Sequence, residues 1–382
     1  MEFLCCPECA AHPLTLRSIE EQEIDSLGGL AGPDVVSGWL RCGTCERLYL
    51  IAEGIPRLLS EAFVELLDFS VVERHPEAFD EVRDSLEALR TRLGDPGGEP
   101  SVAQWNLEDV SFWDGEVYGD ESSVKAIFDR VAIARPDAGN RTFPRERFLF
   151  RHLRDGITGG SLLDIGSGVA HTVRALCHPT EVGYLYIGVE LSLSALRTNR
   201  RTLPGEFVQC SADRLPFRKA SVDAVLMLGT LHHLADHECA LSAALDAVRP
   251  GGVVALDEVV SRSGLAARIP WFQGLRGDES AHNEQVDPEL IRRCVTEAAE
   301  IEVWRREYSP VRGLLVARLA DPMRTRPWLT RLVIAIDRAF IVTIGRLWAP
   351  FRGSELLLFA RKRGAGPAPR GPRPYTAPVG GR

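Results

Sequence analysis

Ser161-Leu162-Leu163-Asp164-Ile165-Gly166-Ser167-Gly168-Val169-Ala170 is the stretch on which the reading of the fold turns. Five residues, three of them large and aliphatic, read as a short buried strand. Two glycines then bend the chain, and a helical segment runs from Thr172 to Cys177. Strand, glycine turn and helix form the opening unit of a nucleotide-binding α/β fold. The glycines let backbone approach a ligand, and the helix start offers free N–H donors. A dinucleotide fingerprint would need glycine at 171, where His171 stands. A carboxylate at Asp164 also suits a cationic or zwitterionic ligand better than a diphosphate.

Downstream the pattern repeats. Tyr184 to Glu190 is a second strand, and its terminal acid lies 26 residues after Asp164. A carboxylate placed there can accept two vicinal hydroxyls. Ser192 caps a helix to Arg201. Phe207 to Cys210 is a third strand, followed by Asp213, and Ser221 to Leu228 is a fourth. Asp236 caps a helix to Val248, and Arg249-Pro250-Gly251-Gly252 is a turn before a fifth strand, Val253 to Asp257. An antiparallel hairpin is expected to finish the sheet, from Ile301–Trp304 and Leu356–Ala360.

Asp164-x-Gly166-x-Gly168-x-Ala170 resembles the acidic-GxGxG motif of class I S-adenosylmethionine-dependent methyltransferases, with alanine in place of the third glycine. Residues 144–260 as a whole resemble the small-molecule methyltransferases of the quinone-biosynthesis (type 11) group. The resemblance implies an α/β, Rossmann-like, seven-stranded methyltransferase sheet over 144–360. It also implies S-adenosylmethionine as cofactor. Asp164, Gly166, Ser167, Gly168, Glu190, Leu191, Ala212, Asp213, Arg214 and Leu228 are the residues expected to hold it. Glu190 would take the ribose hydroxyls and Asp213 the adenine amino group.

Methyl transfer is an in-line displacement at a sulfonium carbon, so the protein chiefly binds, orients and excludes water. The loop expected to face the methyl group reads Gly229-Thr230-Leu231-His232-His233-Leu234. It lacks the Asn/Asp-Pro-Pro-Tyr motif of enzymes acting on planar amide or base nitrogens. His232 and His233 are candidate general bases because imidazole titrates near neutral pH, and His233 is the catalytic candidate put forward. Packing beside the cofactor is the plainer role for either. Glu258, His237, His282 and Glu284 are further candidates.

At the N-terminus, Cys6-Pro7-Glu8-Cys9 and Cys42-Gly43-Thr44-Cys45 form two CxxC pairs. That spacing is the signature of a tetrahedral zinc site. A module of this size buries little core, so the metal would supply folding free energy. Cys5 is a spare thiol beside the first ligand. Such knuckles want positive φ just after the second cysteine, where Ala10 and Glu46 stand. With Gly54-Ile55-Pro56-Arg57-Leu58-Leu59, residues 1–60 resemble the small zinc-ribbon family that activates RNA and protein methyltransferases. Residues 61–143 would connect the two parts, helical to about 93 and then aromatic and acidic (Trp105, Phe112, Trp113, Tyr118).

The chain has 382 residues, 45% hydrophobic and 26% charged, with a net charge of −8. This is ordinary globular usage and excludes wholly disordered, collagen-like and coiled-coil chains. The acidic balance gives no general attraction to phosphate backbones, so nucleic acid is not the favoured partner. Trp328 to Trp348 is long enough to span a bilayer but carries Asp337 and Arg338 at its centre, which argues against a span. A cytoplasmic protein with reduced thiols is expected. The apolar insertion 309–353 has three readings: a lid over an apolar acceptor, a homodimer contact, or a membrane-surface helix. The basic, proline-rich tail 361–382 should be disordered. The leading functional expectation is methylation of a small organic acceptor. An RNA base methyltransferase with a zinc module, and a non-catalytic partner protein, are the alternatives.

Overall fold

The structure, a computed structural model, describes residues 3–23, 33–60, 69–93, 110–118, 151–154, 159–176, 178–260, 286–307, 326–345 and 354–364, with single positions between them. The linker at 94–100, the turn at 136–140, His282, Glu284 and most of the tail lie outside the described residues.

Two sheets organise the chain. The first is an antiparallel meander of β1 (Leu14–Glu23), β2 (Pro33–Cys42), β3 (Leu48–Ala52) and β4 (Ile55–Pro56). Helices α1 (Ser70–Arg74) and α2 (Arg83–Leu93) cover one side of it, with Val71, Phe79 and Leu86 packed on Trp39 and Leu50.

The second sheet has seven strands: β5 (Ser161–Ile165), β6 (Leu185–Glu190), β7 (Glu206–Gln209), β8 (Val222–Leu228), β9 (Val248–Val260), β10 (Ala299–Glu307) and β11 (Ser354–Lys362). Their order in space is β10-β11-β9-β8-β5-β6-β7. Strands β5 to β9 run parallel, and β11 slots antiparallel between β9 and β10. This is the Rossmann-like arrangement expected from the sequence, with its closing hairpin. The strand order reverses between β5 and β8, and in open α/β sheets ligands bind at such a switch point beyond the strand ends.

Both faces of the parallel strands are covered, which explains their continuous apolar runs. Leu163, Ile165, Val189 and Met227 face α6 (His237–Ala247) and α7 (Pro288–Ala298). Leu162, Tyr186 and Leu226 face α3 (His171–Leu176) and α5 (Leu193–Thr202), while α4 (Pro179–Val182) is a single turn before β6. Ser192, Asp236 and Asp287 cap α5, α6 and α7, each accepting a backbone N–H with its side chain.

One boundary differs from the sequence expectation. Residues 249–252, read as a turn, lie within β9. Val248 pairs with Val222 and Val253 with Ala224, so four residues are looped out opposite Asp223. The Asp223 carboxylate ties down this excursion. It pairs with Arg249 and accepts the Ser161 N–H (2.7 Å) and hydroxyl (2.8 Å).

The meander docks on the outer edge of the seven-stranded sheet, at β7. Arg57 bridges Gln209 in parallel, and the Leu58 N–H donates to the Gln209 carbonyl at 2.9 Å. Leu4 bridges Phe217, and the Cys5 N–H donates to the Pro216 carbonyl at 2.9 Å. An exposed edge strand is a template for pairing, and here the chain's own N-terminal unit occupies it. Leu4, Leu40, Tyr49 and Leu58 join the same apolar cluster as Val208 and Phe217.

Candidate functional site

The glycine turn sits at the tip of β5. Gly166 (φ 67°), Gly168 (φ 48°) and Ala170 (φ 51°) are all left-handed. A Cβ at Gly166 would strike the Thr230 side chain, and one at Gly168 would lie 2.6 Å from the Tyr118 hydroxyl. Gly166 and Ser167 donate their N–H groups to the Val189 carbonyl at 3.0 and 3.1 Å, which locks the turn onto β6.

Two carboxylates from adjacent strands meet here. Glu190 accepts the Gly168 N–H on one oxygen (2.9 Å) and the Leu191 and Ser192 N–H groups on the other (2.8 and 3.1 Å). Burial is the main influence on its acidity and raises the pKa, while these three N–H donors oppose the rise. A carboxylate has about four acceptor directions. The oxygen facing Gly168 accepts one N–H and keeps a second acceptor direction.

Asp164 is more deeply placed than its motif position suggests. It is 3% exposed and accepts the Tyr186 hydroxyl at 2.7 Å. Burial lifts its pKa to about 7; the Tyr186 bond opposes that rise and the charge of Glu190 adds to it. Asp213 is half-buried, accepts the Ser211 hydroxyl, and has acceptor capacity to spare. Leu191 and Ala212 are buried and Leu228 is half-buried around these acids. Arg214 turns the other way: its guanidinium is half-exposed and pairs with Glu8 of the first cysteine knuckle at 3.1 Å.

The turn is braced from below by residues that sequence reading missed. Asn199, fully buried on α5, donates to the Gly168 carbonyl at 2.7 Å and accepts from Arg174 at 2.9 Å. Arg174 also donates to the Val169 and Thr202 carbonyls. Both residues look like ordinary polar helix positions, so only their inward direction reveals the role.

From above, residues 110–118 form a strap. Asp114 accepts the Ser192 hydroxyl and, at 3.2 Å, the Ser194 N–H at the start of α5. Trp113 stacks on Tyr118 at 5.4 Å between centroids and meets His233 edge-on at 5.4 Å. The aromatic composition of this segment was visible in the sequence, but not its place over the glycine turn.

His232 and His233 separate in role. His232 is buried and hydrogen-bonded through Nδ1 to Glu258. Glu258, 2% exposed, also accepts the Thr230 (3.0 Å), Leu231 (2.6 Å) and Val259 (2.8 Å) N–H groups. Its oxygens are committed to holding the loop after β8. His233 is half-buried and faces the aromatic strap, and His237 begins α6.

The four thiols of Cys6, Cys9, Cys42 and Cys45 converge, with all sulfurs within 4.8 Å of one another. Cys6 and Cys45 stand at 3.5 Å, as do Cys9 and Cys42. Tetrahedral zinc with bonds of about 2.3 Å would separate its sulfurs by roughly 3.8 Å, so the cluster fits that ion. The two knuckles are near copies. Ala10 and Glu46 have φ 57° and 60°, and each donates its N–H to the carbonyl of the knuckle's first cysteine. Cys5 lies outside the cluster. The buried Tyr49 hydroxyl is 3.0 Å from the Cys6 sulfur and supports it.

Residues 163–256 match the family described as "Methyltransferase domain". A Mus musculus protein named "Probable tRNA methyltransferase 9B" is 27% identical over 132 residues, which are 34% of this chain and 28% of that relative's length. The chain therefore spans under a third of that relative. Among solved structures, the YcgJ protein of Bacillus subtilis is 16% identical, with 58% of this chain and 99% of that chain covered and a TM-score of 0.39. A chain from a complex of the Haloferax volcanii Trm112 methyltransferase activator with a methyltransferase is 15% identical, with 67% of this chain and 99% of that chain covered and a TM-score of 0.39.

Proposed function

We propose, from the match of residues 163–256 to a methyltransferase domain, that the chain transfers a methyl group from S-adenosylmethionine to a small organic acceptor. The observation that carries the cofactor half is the glycine turn flanked by Glu190 and Asp213 at successive strand tips. Glu190 would hold the ribose and Asp213 the adenine amino group, and the amino-acid end would lie against the turn Gly166–Gly168. Asn199 and Arg174 keep that backbone in place. Bound there, the cofactor supplies the electrophilic methyl group.

The acceptor half rests on the strap. Trp113, Tyr118 and His233 line the approach to the glycine turn with aromatic surface. Such a wall excludes water and orients a flat or apolar acceptor. His233 would take a proton if the acceptor carries one, a reading supported by its position beside Trp113. Zinc in the four-thiol cluster would be structural, holding the N-terminal unit against β7.

Incubation of the full chain with methyl-labelled cofactor and fractionated cell extract tests this reading. Label in solvent-extractable small molecules is expected, and label confined to RNA or protein would refute the acceptor class. A second reading, methylation of an RNA base, draws on the relative named as a tRNA methyltransferase. It requires salt-sensitive RNA binding, which a chain of net charge −8 does not favour.

A further inference from the structure

Helix α8 (Pro327–Phe340) continues into one wide turn, Ile341–Gly345, and is apolar on two opposite faces. At 100° per residue, Val333, Ile334, Asp337 and Ile341 point to one side, and all four are buried. Trp328, Leu332, Ala335, Ile336 and Ala339 fall within an arc of about 100° on the other side. They are exposed: Trp328 is 61% accessible, Leu332 47% and Ile336 43%. Val342 and Ile344 extend the exposed surface, each at 48%. A contiguous apolar face of this kind marks a contact site.

The charges say what covers it. Arg331 and Arg338 are exposed along one flank of the apolar arc. Asp337, the only acid between residues 322 and 353, is 2% exposed and turned inward. The same stretch contains Arg324, Arg326, Arg331, Arg338, Arg346 and Arg352, and the tail from 361 adds six basic residues and no acid. This region is basic within a chain of net charge −8. Exposed Leu and Ile, a Trp at the end of the helix, and flanking arginines match an interfacial helix lying on anionic lipid. The helix is about 21 Å long, and no helix among the described residues is long and apolar enough to cross a membrane.

We propose that the outer face of α8 seats the protein on the surface of an anionic lipid bilayer, with the aliphatic residues in the headgroup boundary and the arginines on lipid phosphates. The test is co-sedimentation of the full chain with phosphatidylcholine vesicles and with vesicles containing phosphatidylglycerol. Partition onto the anionic vesicles is expected, weakening as salt rises. Leu332→Ser with Ile336→Ser should lower that partition at least about tenfold. Arg331→Glu with Arg338→Glu should lower it by a similar factor on anionic vesicles only. All four side chains are exposed, so thermal unfolding of the variants should match that of the wild type. Wild type left in the supernatant with both vesicles would overturn the proposal. So would variants that sediment as the wild type does. A wild-type dimer that Leu332→Ser with Ile336→Ser converts to monomer, with no vesicle binding, would assign the face to self-association instead.

Discussion

The substitution Asp164→Asn should change how the stability of the protein depends on pH. Asp164 is almost fully enclosed, with the Tyr186 hydroxyl at 2.7 Å as its partner. Burial lifts its pKa to about 7 from the ordinary carboxylate range near 4. Because the folded-state pKa is the higher one, the folded protein holds the proton more tightly than the unfolded chain. Its contribution is fully present below pH about 4 and is lost as pH rises towards 7. Three pH units at 1.36 kcal/mol each make the whole effect about 4 kcal/mol, of which about 3 falls between pH 5 and pH 8.

The amide that replaces the carboxyl group cannot ionise. Its oxygen can still accept from Tyr186, while its buried N–H₂ adds a cost of about 1–3 kcal/mol that does not vary with pH. Urea unfolding of both proteins, without cofactor, at about pH 5 and about pH 8 separates the two contributions. The variant should gain on the wild type by roughly 3 kcal/mol across that range. A difference that stays constant with pH would show that Asp164 is ionised throughout and that its burial is not what governs it.

Three further outcomes follow from the same geometry. Asn199→Ala leaves the Gly168 carbonyl and an Arg174 N–H buried without each other's bridge; it should cost about 2–4 kcal/mol in thermal unfolding and weaken cofactor binding. Arg214→Ala should leave cofactor affinity unchanged within about twofold in a calorimetric titration, because the half-exposed guanidinium pairs with Glu8 on the surface. Metal analysis should give about one zinc per chain, lost on Cys42→Ser with Cys45→Ser, and strong chelation should unfold the N-terminal meander.

Much of the fold was readable because its signals are local. The buried strands around Asp164, Glu190 and Leu228 are short apolar runs ended by polar or glycine residues, and the caps Ser192 and Asp236 stand where helix starts need acceptors. The cysteine knuckles carry their spacing in the chain. What stayed hidden depends on direction and distance. Arg249–Gly252 has the composition of a turn, and only its pairing across Asp223 places it inside a strand. Tyr186 and Asp164 are 22 residues apart and meet because β5 and β6 lie side by side. The strap at 110–118 and the docking of Arg57 on Gln209 are long-range contacts with no periodic signature.

The central claim is that one cofactor molecule sits at the glycine turn with its ribose on Glu190. Calorimetric titration of S-adenosylhomocysteine into the full chain and into Glu190→Ala tests it most directly. The account predicts saturable binding at one site and an affinity at least about tenfold lower in the variant, a difference of about 1.4 kcal/mol. No binding by the wild type, or equal affinity in both proteins, would contradict it.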